Sequence, residues 1–431
     1  MAKETAVAEI WIWDTYVGAV VELDDHRILF EYAPDFTARN WPLSPLRLPL
    51  RQGVFEFPDL LRKPAFNGLP GALADALPDS FGTAVMRSFY TARGEVEKSL
   101  SPVQHLLYVG SRAIGALEFR PAEALETRPG DQEALEVAAL VADARRIIQG
   151  SADIAIPEIY RIGGSAGGMR PKAVVLWNPD SGEVRSAFAA KSPGDVPAIL
   201  KFDGVGPDDG IGAPEHFNRV EAVYAQMARE AGLNVVDIRV LESADGHAHL
   251  VIPRFDVSGN APLHQHTLGG LLHVDYNDVG ASSYEEYLRT IQALGMPAAA
   301  VAEGYRRMLF NVLGVNQDDH VKNVSFHMDQ NGRWALTPAY DVTFARGGRW
   351  TSAHQMRVAG KRSGITRQDL LDIARRFGVK GAPAMIEQTL DALAEWKDRA
   401  RGAQVSPEAI EDIARALEER RRDVESGDAR G

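Results

Sequence analysis

The pattern of apolar and polar residues predicts strands at the start of the chain. Residues 9–13, 16–22 and 28–32 are rich in β-branched and aromatic side chains, and Asp24-Asp25 is a turn signal before the third run. We therefore predict a small twisted sheet over the first 32 residues.

Helical and strand patterns alternate over the rest of the chain. Helical spacing is found at residues 73–91, 102–109, 123–149 and 214–231, and again in much of the chain from Tyr284 onward. Strands are predicted at residues 173–177, 196–200, 233–241 and 249–255, and a polar loop with a strand pair at 316–344. Gly232 is a natural stop for the helix that precedes it. This order predicts the α+β class, with domains at residues 1–125, 126–260 and 261–431.

Composition narrows the class of protein. Of 431 residues, 45% are hydrophobic and 25% charged, which is typical of a soluble globular chain. The net charge of −12 argues against broad non-specific contact with nucleic acid, and the lack of cysteine excludes disulfides and thiolate chemistry. Residues 1–10 lack the pattern of a signal peptide, and no apolar run approaches the roughly 18 residues of a membrane span. We expect a cytoplasmic protein.

A glycine-rich segment at residues 163–172 is the first candidate for chemistry. Four glycines there let backbone N–H groups approach a phosphate closely, and Lys172 precedes an apolar strand. The segment is not a P-loop, and a strand rather than a helix follows it, so it is not a dinucleotide fingerprint either. By itself such a turn is more often structural.

Lys201 and Glu221 indicate a function only when they are considered together. Lys201 closes an apolar run, and Glu221 lies 20 positions later within the predicted helix. Protein kinases hold the phosphates of ATP with a strand lysine that pairs with a helix glutamate. Each residue alone is unremarkable, since a lysine at a strand end is ordinarily just solvated.

The sharpest pattern is Asp318-Asp319-His320-Val321-Lys322-Asn323, followed by Asp341 after a hairpin that turns at residues 329–332. Asp318 and Asn323 are five positions apart, the separation of the catalytic aspartate and the magnesium-binding asparagine in the kinase catalytic loop. Asp341 stands where kinases place a second magnesium ligand. Taken alone, this loop can also be interpreted as a polar loop with a run of carboxylates. However, the glycine-rich segment, the Lys201–Glu221 pair, the 318–323 loop and Asp341 follow one another in kinase order, which favours a phosphotransferase.

These residues resemble the HipA family, the toxin kinases of bacterial type II toxin–antitoxin systems, over nearly the whole chain. Residues 318–323 match the family's Asp-x-His-x-Lys-Asn, and residues 337–342 match its Pro-x-Tyr-Asp segment. Residues 165–172 resemble its Ser-x-Ala-Gly-x-x-x-Lys loop, with Gly167 where alanine is usual. Residues 76–82 and 109–119 resemble its N-terminal module. The resemblance implies a kinase-like two-lobe fold with an N-terminal β-rich subdomain and a mainly helical C-terminal lobe.

The resemblance also implies roles for individual residues. Asp318 is expected to be catalytic, Asn323 and Asp341 to bind magnesium, Glu221 to form a structural ion pair, and Ser165 to be autophosphorylated. The expected ATP contacts are Gly167, Gly168, Met169, Arg170, Pro171, Lys172, Lys201, Pro253, Arg254, Phe255, His320, Lys322, Asn323, Tyr340 and Asp341.

The chain departs from the family at two further places. Pro253 replaces an acidic residue in the segment expected beside the adenine, which removes an N–H but keeps the carbonyl. His264-Gln265-His266-Thr267 stands where the family often has a histidine followed by an acidic pair. His264, His266 and His273 also permit a zinc site, although no cysteine completes a ligand set and structural histidines are the more ordinary interpretation.

Three functions stay open at this point. The first is an ATP- and magnesium-dependent serine/threonine protein kinase toxin, inactivated by autophosphorylation at Ser165, whose cytosolic substrate by resemblance could be an aminoacyl-tRNA synthetase. The second is a non-catalytic module that binds an antitoxin, and the third is a small-molecule kinase on the same scaffold, because the phosphoryl-transfer core looks alike for any acceptor. The resemblance implies a HipB-type helix-turn-helix antitoxin as partner, contact with DNA only through that partner, and no contact with membranes.

Overall fold

The computed structural model describes residues 6–92, 100–122, 135, 137–148, 171–187, 189–205, 217–243, 246–259, 261–348 and 350–426. The chain divides into two compact units, each assembled from separate stretches. The first unit comprises Met1–Asp208, Leu241–Asp275 and His327–Arg333, and the second comprises Asp209–Val240, Tyr276–Phe326 and Trp334–Gly431. The three-domain division of the sequence stays a prediction.

The strands are short and mostly antiparallel. They are β1 Val7–Ile12, β2 Thr15–Glu22, β3 Ile28–Tyr32, β4 Val54–Glu56, β5 Leu117–Arg120, β6 Lys172–Trp177, β7 Val184–Ser186, β8 Val196–Lys201, β9 Arg239–Glu242, β10 Ala248–Pro253, β11 Val257–Ser258, β12 Ala261–Pro262, β13 His264–Thr267, β14 Ser325–Met328 and β15 Trp334–Leu336.

The helices of the described residues are distributed over both units. They are α1 Pro34–Thr37, α2 Gly71–Ala74, α3 Ser80–Ala92, α4 Pro102–Val109, α5 Val137–Ile148, α6 Phe217–Glu230, α7 Leu268–Leu272, α8 Tyr284–Ala293, α9 Ala298–Leu313, α10 Arg367–Phe377, α11 Ala382–Ala394, α12 Trp396–Gly402 and α13 Pro407–Ser426.

The first unit begins with a five-stranded sheet in the order β4–β3–β2–β1–β5. Alternate side chains of β1 are buried, which is the pattern of a strand with one face on the core. Ile10 lies opposite Gly18 on one side and Phe119 on the other. Gly18 has φ +151°, and a Cβ there would lie 2.0 Å from the Glu31 carbonyl oxygen, so only glycine fits at this close approach.

A second sheet in the same unit has the order β7–β6–β8–β10–β9. Helices α3 and α5 pack on it through a buried apolar cluster that includes Val85, Leu140, Val175 and Leu200. Lys172 and Lys201 lie directly opposite each other where β6 and β8 pair. The antiparallel pairing therefore places two of the expected ATP contacts side by side.

In the second unit, α6, α9 and α12 share an aromatic core. Tyr224 packs with its ring centroid 6.1 Å from that of Phe310 and 5.6 Å from that of Trp396. The Tyr224 hydroxyl donates to the Gly314 carbonyl at 3.0 Å, immediately after α9 ends. This core fixes the point at which the chain leaves α9.

The α+β class predicted from the sequence is confirmed. Two predicted elements are wrong in extent. The strand expected at residues 233–241 is confined to β9, because Asn234 and Val236 instead form isolated backbone hydrogen bonds with Ala339. The helix expected at residues 73–91 is broken into α2 and α3, since Pro78 disfavours helical backbone at the residue before it. No helix in the described part of the chain combines the length and apolar character needed to cross a membrane.

Candidate functional site

The polar loop of the second unit runs between α9 and β14, and its start is strained. Val315 has φ +55°, a left-handed conformation that is unfavourable for a β-branched residue. The Ala345 N–H donates to the Val315 carbonyl at 3.1 Å, and the Gln317 N–H donates to the Ala345 carbonyl at 2.8 Å. These bonds hold the start of the loop to the segment that follows Asp341.

Asp318 and Asn323 meet inside this loop. The Asn323 Nδ2 donates to the Asp318 carbonyl at 2.9 Å, which leaves the Asn323 amide oxygen as the group able to face a cation. The Asp318 side chain is 48% exposed, so its carboxylate is accessible to a hydroxyl from outside. His320 Nε2 lies 3.9 Å from Asp318 Oδ1, and the His320 carbonyl accepts from the Asn323 N–H at 2.9 Å.

Tyr340 joins Asp341 to the same loop. Its hydroxyl contacts the Lys322 carbonyl at 2.7 Å and the Ser325 hydroxyl at 2.5 Å. Asp341 itself has φ +51°, in a region that costs about 1 to 3 kcal/mol for a residue other than glycine and is found preferentially at active sites. Hydrogen bonds of Tyr340 therefore link the segment that carries Asp341 to the loop that carries Asp318 and Asn323.

The donor set fits magnesium better than a transition metal. The carboxylate of Asp341 and the amide oxygen of Asn323 are hard oxygen donors of the kind that would hold magnesium. Within the described ranges no three or more His, Asp or Glu side chains gather as a metal cage requires. A magnesium ion that is also held by phosphates needs only one or two protein ligands, so a donor set of two residues is compatible with the lack of such a cluster in the described residues.

In the first unit, Lys172 has a buried carboxylate beside it. Its Nζ lies 3.6 Å from Asp79 Oδ2, and both side chains are 5% exposed. The other oxygen, Asp79 Oδ1, accepts from the Gly82 N–H at 2.7 Å and so caps α3. The carboxylate thereby fixes the start of α3 and neutralises a lysine whose burial would otherwise be costly. The sequence pattern of residues 76–82 did not reveal this role for Asp79.

The segment expected beside the adenine, residues 253–255, begins at the last residue of β10. The Arg254 N–H donates to the Pro197 carbonyl at 2.9 Å, and its guanidinium Nε donates to Asp256 Oδ1 at 2.9 Å. The Gly115 N–H donates to Asp256 Oδ2 at 2.7 Å. The Arg254 side chain is thus engaged by Asp256, and the residue 109–119 stretch docks here through Gly115. The resemblance places Asp256 in this segment with Arg254 and Phe255, but its bond to Gly115, 141 positions away, could not be predicted from the sequence.

Other sequence-predicted residues lie elsewhere or cannot be placed. Ser165 and the glycine-loop residues Gly167, Gly168, Met169 and Arg170 lie outside the described residues. Pro171 accepts a hydrogen bond at its carbonyl from the Phe202 N–H at 3.0 Å. Glu221 is 3% exposed on α6 of the second unit, whereas Lys201 belongs to the first, so their pairing stays a prediction.

Two family models match this chain. The model of the HipA-like C-terminal domain covers residues 164–416, more than half of the chain, and that of the HipA N-terminal domain covers residues 8–120. The chain belongs to the HipA family. The family relationship expected from the loop motifs is therefore confirmed.

Relatives and solved structures agree with this membership. Toxin YjjJ of Escherichia coli K12 is 23% identical over 269 residues, and a Haemophilus influenzae protein named "Putative kinase" is 30% identical over 134 residues. The matches cover 62% and 28% of this chain, which spans only 55% and 39% of those proteins. The Shewanella oneidensis MR-1 HipA, solved with HipB and operator DNA, superimposes with a TM-score of 0.68 over 97% of both chains, at 17% identity. That likeness shows a shared HipA fold.

The three histidines that permitted a zinc site, His264, His266 and His273, have ring nitrogens engaged within the first unit. His264 Nε2 lies 2.8 Å from the Leu43 carbonyl, and His273 Nε2 accepts from the Gly71 N–H at 3.1 Å. His266 lies between Asp75 Oδ2 at 2.5 Å and the Ser44 hydroxyl at 3.0 Å. This order resembles a Ser-His-Asp triad, but Ser44 and His266 are fully buried, so no substrate can reach them.

Asp75 is the partner of the polar residues at 266–267. Its carboxylate accepts from the Thr267 N–H at 2.7 Å and from the Thr267 hydroxyl at 2.7 Å, in addition to its contact with His266. Thr267 in turn caps α7 by accepting from the Gly270 N–H at 3.0 Å. A carboxylate that is 9% exposed thus accepts from both His266 and Thr267.

Proposed function

We propose that this HipA-family chain is a serine/threonine protein kinase that transfers the γ-phosphoryl group of ATP to a protein hydroxyl. The observation that carries the proposal is the connected set of Asp318, Asn323 and Asp341 in the second unit. The three side-chain types follow in the order of a kinase catalytic loop and metal site. Hydrogen bonds through Lys322 and Tyr340 join the two segments that carry them.

In the proposed reaction Asp318 accepts the proton of the acceptor hydroxyl. The hydroxyl oxygen forms a bond to the γ-phosphorus while the bond from that phosphorus to the β–γ bridging oxygen breaks, and ADP leaves. Asn323 and Asp341 would hold magnesium, which when bound supplies neutralisation of phosphate charge. Asn323 also holds the Asp318 backbone, so one side chain serves both the cation and the base.

We assign the first unit to the nucleotide. Lys172 and Lys201, paired across β6 and β8, are proposed to contact phosphates together with the loop at Gly167, Gly168, Met169 and Arg170. Buried ammonium groups attract phosphate strongly because little water screens them. The carbonyl of Pro253 and the side chain of Phe255 are proposed to contact the adenine, since the Arg254 guanidinium is engaged by Asp256.

We infer a toxin role with a protein partner. One relative is named a toxin, and the structure of the Shewanella oneidensis protein contains HipB and operator DNA. A basic helix-turn-helix protein of the HipB type would find complementary charge on this chain of net charge −12, and DNA would be reached only through that partner. Co-purification from the native operon tests the partner, and recovery of the chain alone would count against it.

Transfer of labelled phosphate tests the kinase activity. The purified chain, incubated with γ-labelled ATP, magnesium and a cell lysate, is expected to label protein, and a chelator is expected to abolish the labelling. Phosphoproteomics of cells that express the wild type or an inactive variant would then identify the acceptor. Labelling of small molecules but of no protein would contradict a protein-kinase function.

Self-inactivation at Ser165 is a further part of the proposal. A phosphoserine adds about −1.5 to −2 charges at pH 7, which the phosphates of ATP would repel. We expect intact-mass analysis after incubation with ATP and magnesium to show one added phosphate on the wild type and none on Ser165→Ala. The phosphorylated protein is expected to bind ATP more weakly than the fresh protein. Phosphate found on another residue would contradict this mechanism.

A further inference from the structure

A buried carboxylate follows the proposed catalytic aspartate and has three donors. Asp319 is 2% exposed, and its Oδ2 accepts from the Tyr284 hydroxyl at 2.8 Å and contacts His354 Nδ1 at 2.9 Å. Its Oδ1 accepts from the Gln355 N–H at 2.7 Å. A carboxylate that accepts several buried hydrogen bonds is rigidly held. Because Asp319 is bonded to Asp318 through the peptide, this anchoring restrains the backbone that presents Asp318.

Tyr284 extends the network toward the proposed metal ligand. Its hydroxyl accepts from Asn311 Nδ2 at 2.9 Å, and Asn311 Oδ1 accepts from Asn316 Nδ2 at 3.0 Å. Asn316 Nδ2 also lies 3.5 Å from the Asp341 carbonyl oxygen. An unbroken series of side chains therefore connects Asp319 with the backbone of Asp341, and Tyr284 is the member that contacts Asp319.

We propose that Tyr284 is a positioning residue whose hydroxyl fixes the catalytic loop and the Asp341 segment relative to each other. We name this series, formed by Asp319, Tyr284, Asn311 and Asn316, the tyrosine relay. The inference rests on the proposed kinase function. Misplacement of a catalytic group by about 1 Å can lower a rate about 10²-fold, so the loss of one buried hydroxyl is expected to act on the transfer step.

The test compares two phenylalanine variants of the same unit. Tyr284→Phe removes the relay hydroxyl, whereas Tyr305→Phe removes a buried hydroxyl that donates to the Leu370 carbonyl at 3.0 Å outside the relay. We expect kcat of Tyr284→Phe to fall about 10-fold with KM for ATP within about threefold. Tyr305→Phe is expected to keep both constants near those of the wild type. Equal kcat values for the two variants would overturn the proposal.

A double variant separates positioning from a general loss of stability. Asn311→Ala breaks the relay at the next side chain, so Tyr284→Phe combined with Asn311→Ala is expected to lower kcat no further than the stronger single change. Additive losses would show that the two residues act independently and would overturn the relay.

Hydrogen–deuterium exchange keeps the inference distinct from the proposed function. We expect faster exchange at residues 318–324 and 341–345 in Tyr284→Phe than in Tyr305→Phe, whether or not the chain transfers phosphate. A wild type without transfer activity would defeat the proposed function, and the exchange comparison would then decide the relay alone. Equal exchange in the two variants would overturn it.

Discussion

Replacement of Asp318 by asparagine is expected to lower the rate of phosphoryl transfer by about 10²- to 10⁴-fold. An asparagine amide has nearly the shape of the carboxylate but cannot take the proton of the acceptor hydroxyl. The hydrogen bond from Asn323 uses the Asp318 carbonyl rather than its side chain, so the loop is expected to keep its conformation. ATP affinity should therefore stay within about threefold, because a base is not needed to hold the nucleotide.

Calorimetry with ATP and magnesium, together with a labelled-phosphate assay, measures the two properties separately. Asp278→Asn provides the matched control, since Asp278 is an exposed aspartate of the same unit, and its variant is expected to keep wild-type transfer. Asp341→Asn should instead weaken the binding of ATP with magnesium, because it removes a proposed ligand. Substantial transfer by Asp318→Asn would contradict its assignment as the base.

Much of the first unit could be predicted from the sequence because its strands have one buried face. The runs predicted at residues 9–13, 16–22 and 28–32 appear as β1, β2 and β3, and Asp24-Asp25 lies in the turn between the last two. The hairpin predicted at residues 329–332 is confirmed by the bond from the Asp329 N–H to the Arg333 carbonyl at 3.1 Å. Local turn chemistry and period-two burial are properties of neighbouring residues, which a sequence displays directly.

The supporting carboxylates of the site could not be predicted in the same way. Asp79, Asp256 and Asp319 each have a partner far along the chain, namely Lys172, Gly115 and Tyr284, and nothing in their own segments indicates those partners. Asp319 lies within residues 318–323, the most informative motif, but the kinase pattern gives a role only to Asp318 and Asn323 there. A motif records the residues that touch the reaction, whereas buried partners depend on how distant segments pack.

Acid is expected to destabilise the first unit before its carboxylates are protonated. Burial and the nearby His266 lower the pKa of His264 to about 3, and burial likewise lowers the pKa of His273 to about 3. In an unfolded chain the ordinary histidine pKa is about 6.5. Between pH 6.5 and 3 the unfolded state therefore binds more protons than the native state, so the free energy of unfolding falls as the pH falls.

The interval from pH 7 to pH 5 isolates this effect, because carboxylates with ordinary pKa values near 4 stay ionised there. Each buried neutral histidine is expected to lower the free energy of unfolding by about 2 kcal/mol over that interval. His264→Gln removes one titrating ring, and its amide can still donate toward the Leu43 carbonyl that His264 Nε2 contacts at 2.8 Å. Urea unfolding is expected to show a loss about 2 kcal/mol smaller in this variant than in the wild type. Identical pH dependence in His264→Gln and the wild type would show that His264 is not held neutral by burial, whatever the variant's stability at pH 7.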